Sequence, residues 1–141
     1  MAVGFGVRLL PRLCAALLCL TVAWIHVQDQ GGFPGNRTPR YVGVGYYLLE
    51  AAGLLGAVLL IAARPGRVLS EGWLLAAGVG ICPLVGYLLS RGPGLPDYSE
   101  DRGNWLEPLG LASLAVEGAL VILALTVVVK SSRSLLRFHR G

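Results

Sequence analysis

Glu50 and Glu117 ask the most of their surroundings. Each is an ionisable carboxyl set inside a long apolar run, Glu50 in residues 41–63 and Glu117 in residues 106–129. Insertion of a charged side chain at such a depth costs about 2.5 to 3.5 kcal/mol. Both groups are therefore expected to face the interior of a helix bundle, protonated or partnered. Two chemistries follow. Paired carboxyls at mid-depth can bind a proton or a cation during transport. A protonated Glu can instead hydrogen-bond a neighbouring helix and lock the bundle. Tyr46 and Ser113, one turn before the two glutamates, are candidate local partners.

His26 lies three residues before Asp29, on the same face if the helix continues. With Glu107 or Glu50 from another helix, the two offer nitrogen and oxygen ligands for a metal. A metal-dependent membrane enzyme at the outer face is the reading this would serve. The plainer reading of His26 is an amphipathic side chain at an interface. A bis-histidine haem is excluded, because the second histidine, His139, falls in the tail on the opposite side. No nucleophile–base pair, phosphate loop or HExxH pattern occurs, so the sequence requires no cofactor and argues against catalysis.

The elements that must position these groups are membrane helices. The chain has 141 residues, enough for a single membrane domain over 1–141, with 55% hydrophobic and only 14% charged residues. Soluble domains carry about 25% charged residues. Mean hydropathy is +0.66, and the natural solvent for so apolar a surface is a lipid bilayer. Four runs are long enough to cross one, at about 9–27, 41–63, 72–89 and 106–129. The predicted fold is an all-α, polytopic four-transmembrane-helix bundle. The first run lacks a small-residue cleavage site after it and reads as an uncleaved anchor. Thr38-Pro39, Ser70-Glu71 and the Asn104/Glu107 pair read as helix starts; Arg64-Pro65-Gly66 and Arg91-Gly92-Pro93-Gly94 read as stops. Pro83 is expected to free the Val79 carbonyl and kink its helix.

Basic residues set the expected orientation. Arg8, Arg12, Arg64, Arg67, Lys130, Arg133, Arg137 and Arg140 fall on one side, against Arg37, Arg40, Arg91 and Arg102 on the other. Both termini are then cytoplasmic in a plasma membrane, with loops at about 28–40 and 90–105 outside. The basic tail 130–141, with Leu135, Leu136 and Phe138 between its charges, lies on the inner leaflet. Tyr41, Tyr87, Tyr98 and Trp105 fit an outer aromatic belt, and Trp73 an inner one. No Lys/Arg run is interleaved with aromatics, so nucleic acid is not an expected partner.

Small residues supply the packing. Ala52 and Gly56, Gly53 and Ala57, and Ala115 and Ala119 are small-xxx-small pairs that let helices approach closely, within the chain, in a homo-oligomer or against a membrane-protein partner. Placing Glu50 over Glu117 also aligns Gly43 with Gly110 and Ala52 with Ala119, as two tandem helical hairpins would, with the glutamates at similar depth, facing each other or a shared centre. Cys14, Cys19 and Cys82 lie in apolar runs and read as small hydrophobes. The loop Asp97, Tyr98, Ser99, Glu100, Asp101, Arg102 reads as a solvated cap with internal Arg–carboxylate pairs.

Two segments carry a resemblance, Ala23-Trp24-Ile25-His26-Val27-Gln28-Asp29-Gln30-Gly31-Gly32-Phe33 and the stretch from Gly94-Leu95-Pro96 through Glu100-Asp101-Arg102-Gly103-Asn104-Trp105-Leu106-Glu107-Pro108. In these the chain resembles uncharacterised four-span integral membrane proteins of high-GC actinobacteria. The resemblance implies a bacterial plasma membrane and no particular activity. The functional expectation is a small non-catalytic component packing against a membrane partner or itself. A small secondary transporter or cation-binding protein using Glu50 and Glu117 is the alternative, and the outer-face metal enzyme ranks last.

Overall fold

A computed structural model describes residues 2–62 and 71–138, with side chains over 9–62 and 71–130. The expected stop at Arg64-Pro65-Gly66, together with Arg67, Ser70, His139 and Arg140, lies outside the described residues; the side chains of Arg8, Arg133, Leu135, Leu136, Arg137 and Phe138 do too. Four helices make up the described chain: α1 (Ala2–Asp29), α2 (Arg40–Ala62), α3 (Glu71–Arg91) and α4 (Pro108–Phe138). Each contains a segment long and apolar enough to cross a bilayer: Leu9–Asp29, Arg40–Ala62, Glu71–Arg91 and Pro108–Lys130. The protein is a small, all-α integral membrane protein.

The helices form an antiparallel bundle. Neighbours in sequence pack side by side and α4 closes against α1; α1 and α3 touch across one diagonal, whereas among the described residues α2 and α4 do not touch. Side-chain size is inverted relative to a soluble bundle. The core is built mainly of Ala15, Ala16, Cys19 and Val22 from α1, Ala57 and Leu60 from α2, Ala76 and Val79 from α3, and Leu120 and Ala124 from α4. Large apolar groups such as Leu17, Trp24, Leu48, Leu74 and Ile122 point outward. Lipid gives helices no hydrophobic reason to associate, so close backbone approach has to supply the contact. A Cβ added at Gly53 would stand 2.9 Å from the Cys19 carbonyl oxygen, and one at Gly72 would stand 2.9 Å from the Leu60 backbone nitrogen. Ala52 is half-buried, Gly53, Gly56 and Ala57 are buried, and Ala115 and Ala119 are exposed.

Several helix ends differ from expectation. α1 runs on to Asp29 and closes with a Schellman turn: Gly32 N–H donates to the Val27 carbonyl at 2.9 Å, and Gly31 N–H to that of Gln28 at 3.0 Å. Gly31 takes the required left-handed conformation, with φ 87°. α2 begins at Arg40, because the Pro39 carbonyl closes its first turn by accepting from Val42 N–H at 2.9 Å; Thr38 is not its cap. α4 begins at Pro108. Glu107 flanks it, its carbonyl accepting from Leu111 N–H at 3.0 Å, and Pro108 takes the first helical position, where a missing N–H costs nothing. Asn104 is held instead in a preceding turn, its N–H on the Asp101 carbonyl at 3.0 Å. The aromatic belt is also smaller than expected. Tyr41 and Trp105 are exposed, but Trp73, Tyr87 and Tyr98 are buried within the bundle.

Close approach at Gly72 makes a direct test. Gly72→Ala should lower the melting temperature in detergent, since the backbone it meets cannot yield. Gly78→Ala, one and a half turns on and with nothing within 4 Å, should leave it unchanged or raise it by the gain of about 0.5 to 1 kcal/mol for Ala over Gly in a helix. Thermal circular dichroism of the two variants checks the contrast.

Candidate functional site

Three of the four helices do not end level with one another where the two long connections meet. Asp29, the last residue of α1, accepts from the Tyr46 hydroxyl, six residues into α2. His26, one turn back, stands beside Glu117, nine residues into α4. At 1.5 Å per residue, and with Asp29 three residues beyond His26, α1 stops about 9 Å short of the starts of both α2 and α4. Above it lies a cavity of about 320 Å³, lined from all four helices and from the loop before α4. We call this the loop end of the bundle.

Glu117 forms the floor. It is 1% exposed, and its Oε1 accepts from the Ser113 hydroxyl one turn earlier, as the sequence spacing anticipates. His26 Nε2 stands 3.9 Å from the same oxygen. The other ring nitrogen, Nδ1, lies 2.9 Å from the Val22 carbonyl. A carbonyl can only accept, so Nδ1 carries a proton, and Nε2 of a neutral ring faces Glu117 with a lone pair. A lone pair and a carboxylate at this distance repel. The pair is relieved by one proton, either on Glu117 or on Nε2.

The walls carry charge in compensated groups. Arg37 Nη2 donates to the Asp29 carbonyl at 2.7 Å and to Asp29 Oδ1 at 2.8 Å, and Nη1 donates to the Tyr98 hydroxyl at 3.1 Å. Tyr98 in turn donates a hydrogen bond to Asp101 Oδ2 at 2.7 Å. Arg91 Nη1 donates to the same oxygen at 3.0 Å, and Nη2 to Glu107 Oε2 at 2.9 Å. The Arg91 guanidinium lies 4.4 Å over the Tyr87 ring, which accounts for a buried Nε with no hydrogen-bond partner. Gly110 leaves room for this group: a Cβ there would stand 2.7 Å from Tyr87 Cε2 and 3.0 Å from Glu107 Oε2.

Titration of the loop-borne groups follows from the same contacts. Burial works against the Arg37 charge, but Asp29 and then the tyrosine and Asp101 oxygens outweigh it, so the guanidinium is held above its ordinary value. Tyr98 is pushed above the usual tyrosine range by burial first and by its bond to Asp101 next. An unfolded tyrosine ionises first as pH rises, so the stabilisation by Tyr98 is complete below pH of about 10 and is lost above it.

The expected site residues divide. His26, Asp29, Glu107 and Glu117 all line the cavity. Glu50 does not; it takes a 2.6 Å hydrogen bond from Gln30 Nε2, from the chain doubling back after α1. The two glutamates therefore have separate surroundings and no shared centre. Tyr46 serves Asp29 and not Glu50. Asp29 and Glu107 are each engaged by an arginine, and no group of three His, Cys, Asp or Glu side chains suited to a metal occurs among the described residues. No family model, curated protein or solved structure matches the chain.

The Tyr98 hydroxyl should matter more than its neighbours. Tyr98→Phe strips a partner from both Arg37 and Asp101 and should cost about 1 to 3 kcal/mol. Tyr41→Phe, losing a 2.6 Å bond to the Pro96 carbonyl at an exposed position, should cost less. Chemical denaturation in mixed micelles at neutral pH compares the two.

Proposed function

We propose that this is a membrane-embedded binding protein for a small organic cation, taken into the loop-end cavity with Glu117 as the counter-charge and exchanged for the proton held between Glu117 and His26. The observation that carries the reading is the cavity itself. It is a cleft of about 320 Å³, open on one side, that reaches down to a buried ionisable pair. That volume sits at the small end of ligand sites.

Charge selects the ligand. Asp29, Asp101, Glu107 and Glu117 face the cavity with Arg91, and Arg37 stands behind Asp29. Four carboxylates against two guanidiniums leave a negative excess, which one proton on the His26–Glu117 pair reduces but does not cancel. Low-dielectric walls strengthen that field. Tyr41 and Tyr98 add aromatic rings of the kind that receive organic cations, as Tyr46 and Tyr87 already receive Arg37 and Arg91. The apolar core residues Leu120, Val79 and Val22 do not line the cavity, so it does not run on through the bundle. The excess of Lys and Arg on the terminal side supports termini in the cytoplasm and a cavity facing outward, and the actinobacterial resemblance supports a plasma membrane as the setting.

A packing role in a larger assembly is a second reading, favoured by α4, where Ala112, Ala115 and Ala119 are exposed at helical spacing. Recovery of a stoichiometric membrane partner or a second copy after gentle extraction would support it; a bare monomer would sink it.

Binding of benzyltrimethylammonium to detergent-purified protein tests the first reading, with benzenesulfonate as the anionic control. The cation should bind with release of a proton to a weakly buffered indicator, and the anion should not bind. Glu117→Gln, which keeps an oxygen for Ser113, should lower the affinity about tenfold or more, equal to about 1.4 kcal/mol, and abolish proton release. Equal binding by the folded variant would refute the role given to Glu117.

A further inference from the structure

The cavity has a roof but lacks one wall. Over it lies the turn Leu95-Pro96-Asp97-Tyr98, with Leu95 and Tyr98 paired in both directions at 3.2 and 3.0 Å. Pro96 occupies the second position of the turn and Asp97 the left-handed third, φ 53°, the arrangement of a type II turn. Tyr41 fastens this turn to α2 through the Pro96 carbonyl, and Asp101 fastens the following chain to Arg91. Leu95, Tyr98 and Asp101 all line the cavity from above.

The open side lies between α2 and α3. Away from the loop end these helices touch closely: a Cβ at Gly56 would meet Leu75 Cβ at 3.5 Å, and one at Gly72 would meet the Leu60 backbone. Toward the loop end the α2 and α3 glycines that line the cavity have no such close neighbour. Gly45 of α2 and Gly86 of α3 both line the cavity, and a Cβ on either would meet nothing within 4 Å. Gly45 and Cys82, also lining residues, are exposed. Gly45 is five residues below Arg40 and Cys82 nine below Arg91, so the opening lies about 8 to 14 Å below the helix ends. It faces hydrocarbon sideways, and Val42, Leu49 and Pro83 give it an apolar rim.

We infer that the cavity is loaded from the bilayer through this gap and that its ligand is an amphiphilic ammonium ion, its head beneath the roof toward Glu117 and its alkyl chain lying in the gap. The choice of head rests on the cation reading above; the gap does not. A small water-soluble cation would have to cross the lipid face or displace the roof. An amphiphile is already concentrated in the membrane, and its chain completes the missing wall. Each buried methylene strengthens such partitioning.

Cys82 reports on the opening directly. Cys14→Ser removes the other exposed cysteine, and Cys19 is buried. In lipid nanodiscs, bimane attached to Cys82 should be quenched by phosphatidylcholine with brominated chains and little by iodide. Quenching by iodide alone would place the opening in water and overturn the inference. With the thiol unlabelled, decyltrimethylammonium should slow its reaction with a maleimide about tenfold, and tetramethylammonium at the same concentration should not. Gly45→Trp, which fills the gap, should remove that difference while Gly78→Trp keeps it. Equal protection by the two ions would overturn the amphiphile assignment and leave the cation reading standing. Protection by neither, with bromine quenching intact, would overturn the amphiphile assignment, while benzyltrimethylammonium binding with proton release decides the cation reading separately.

Discussion

One run of charge-assisted hydrogen bonds ties the two long connections together: Asp29 to Arg37, Arg37 to Tyr98, Tyr98 to Asp101, and Asp101 to Arg91, which also holds Glu107 at the start of α4. It joins the end of α1, the first loop, the second loop, the end of α3 and the start of α4. Within a bilayer the helices gain little from burying apolar surface against each other, so polar links at their ends weigh more in fixing which end meets which. Arg91 is 9% exposed, with a carboxylate on each amino group and a ring beneath it. Removing either acid would leave a buried charge underpaired, which costs several kcal/mol. The roof over the cavity exists because this run holds.

The early stop of α1 is the second constraint. The Gly31-Gly32 turn ends the helix while α2 and α4 each have more than one turn still to run toward the loop end. That leaves the space the cavity fills. It also puts the carbonyl end of α1, the negative end of its dipole, at the level of His26 and Asp29, which favours a cation above it. Gln30 turns back from the same corner, buries itself against Gly35, and donates to Glu50. Glu50 is thus satisfied by a loop, and Glu117 takes a hydrogen bond from Ser113 of its own helix with His26 of α1 standing 3.9 Å away. The first is a clasp. The second lines the cavity.

The four spans were legible in the sequence because the solvent dictates them: a bilayer sets both length and hydropathy. The Ser113–Glu117 bond was legible because its two residues sit one turn apart on one helix. The Tyr46 partner was misassigned because Asp29 reaches Tyr46 only where α1 stops short, and helix ends are the least determined feature of an apolar run. Gly31-Gly32 directly after Gln30 was the signal for that stop. Tyr87, Tyr98 and Trp73 were read as interfacial aromatics, yet they are buried; the Tyr87 and Tyr98 hydroxyls find partners in the Trp105 carbonyl and Asp101. Arg91, the last residue of α3, carries an ion pair that its place before an acidic loop could have suggested. The shared centre for Glu50 and Glu117 failed because helix order alone does not fix rotation about each axis.

The central claim is that Glu117 holds a cationic ligand in the loop-end cavity. Native mass spectrometry of the protein released gently from its own membrane tests it most directly, run beside Glu117→Gln prepared in the same way. The claim predicts a small, positively charged adduct of reproducible mass on the natural chain and its loss from the folded variant. The same adduct on both chains, or none on either, would contradict it.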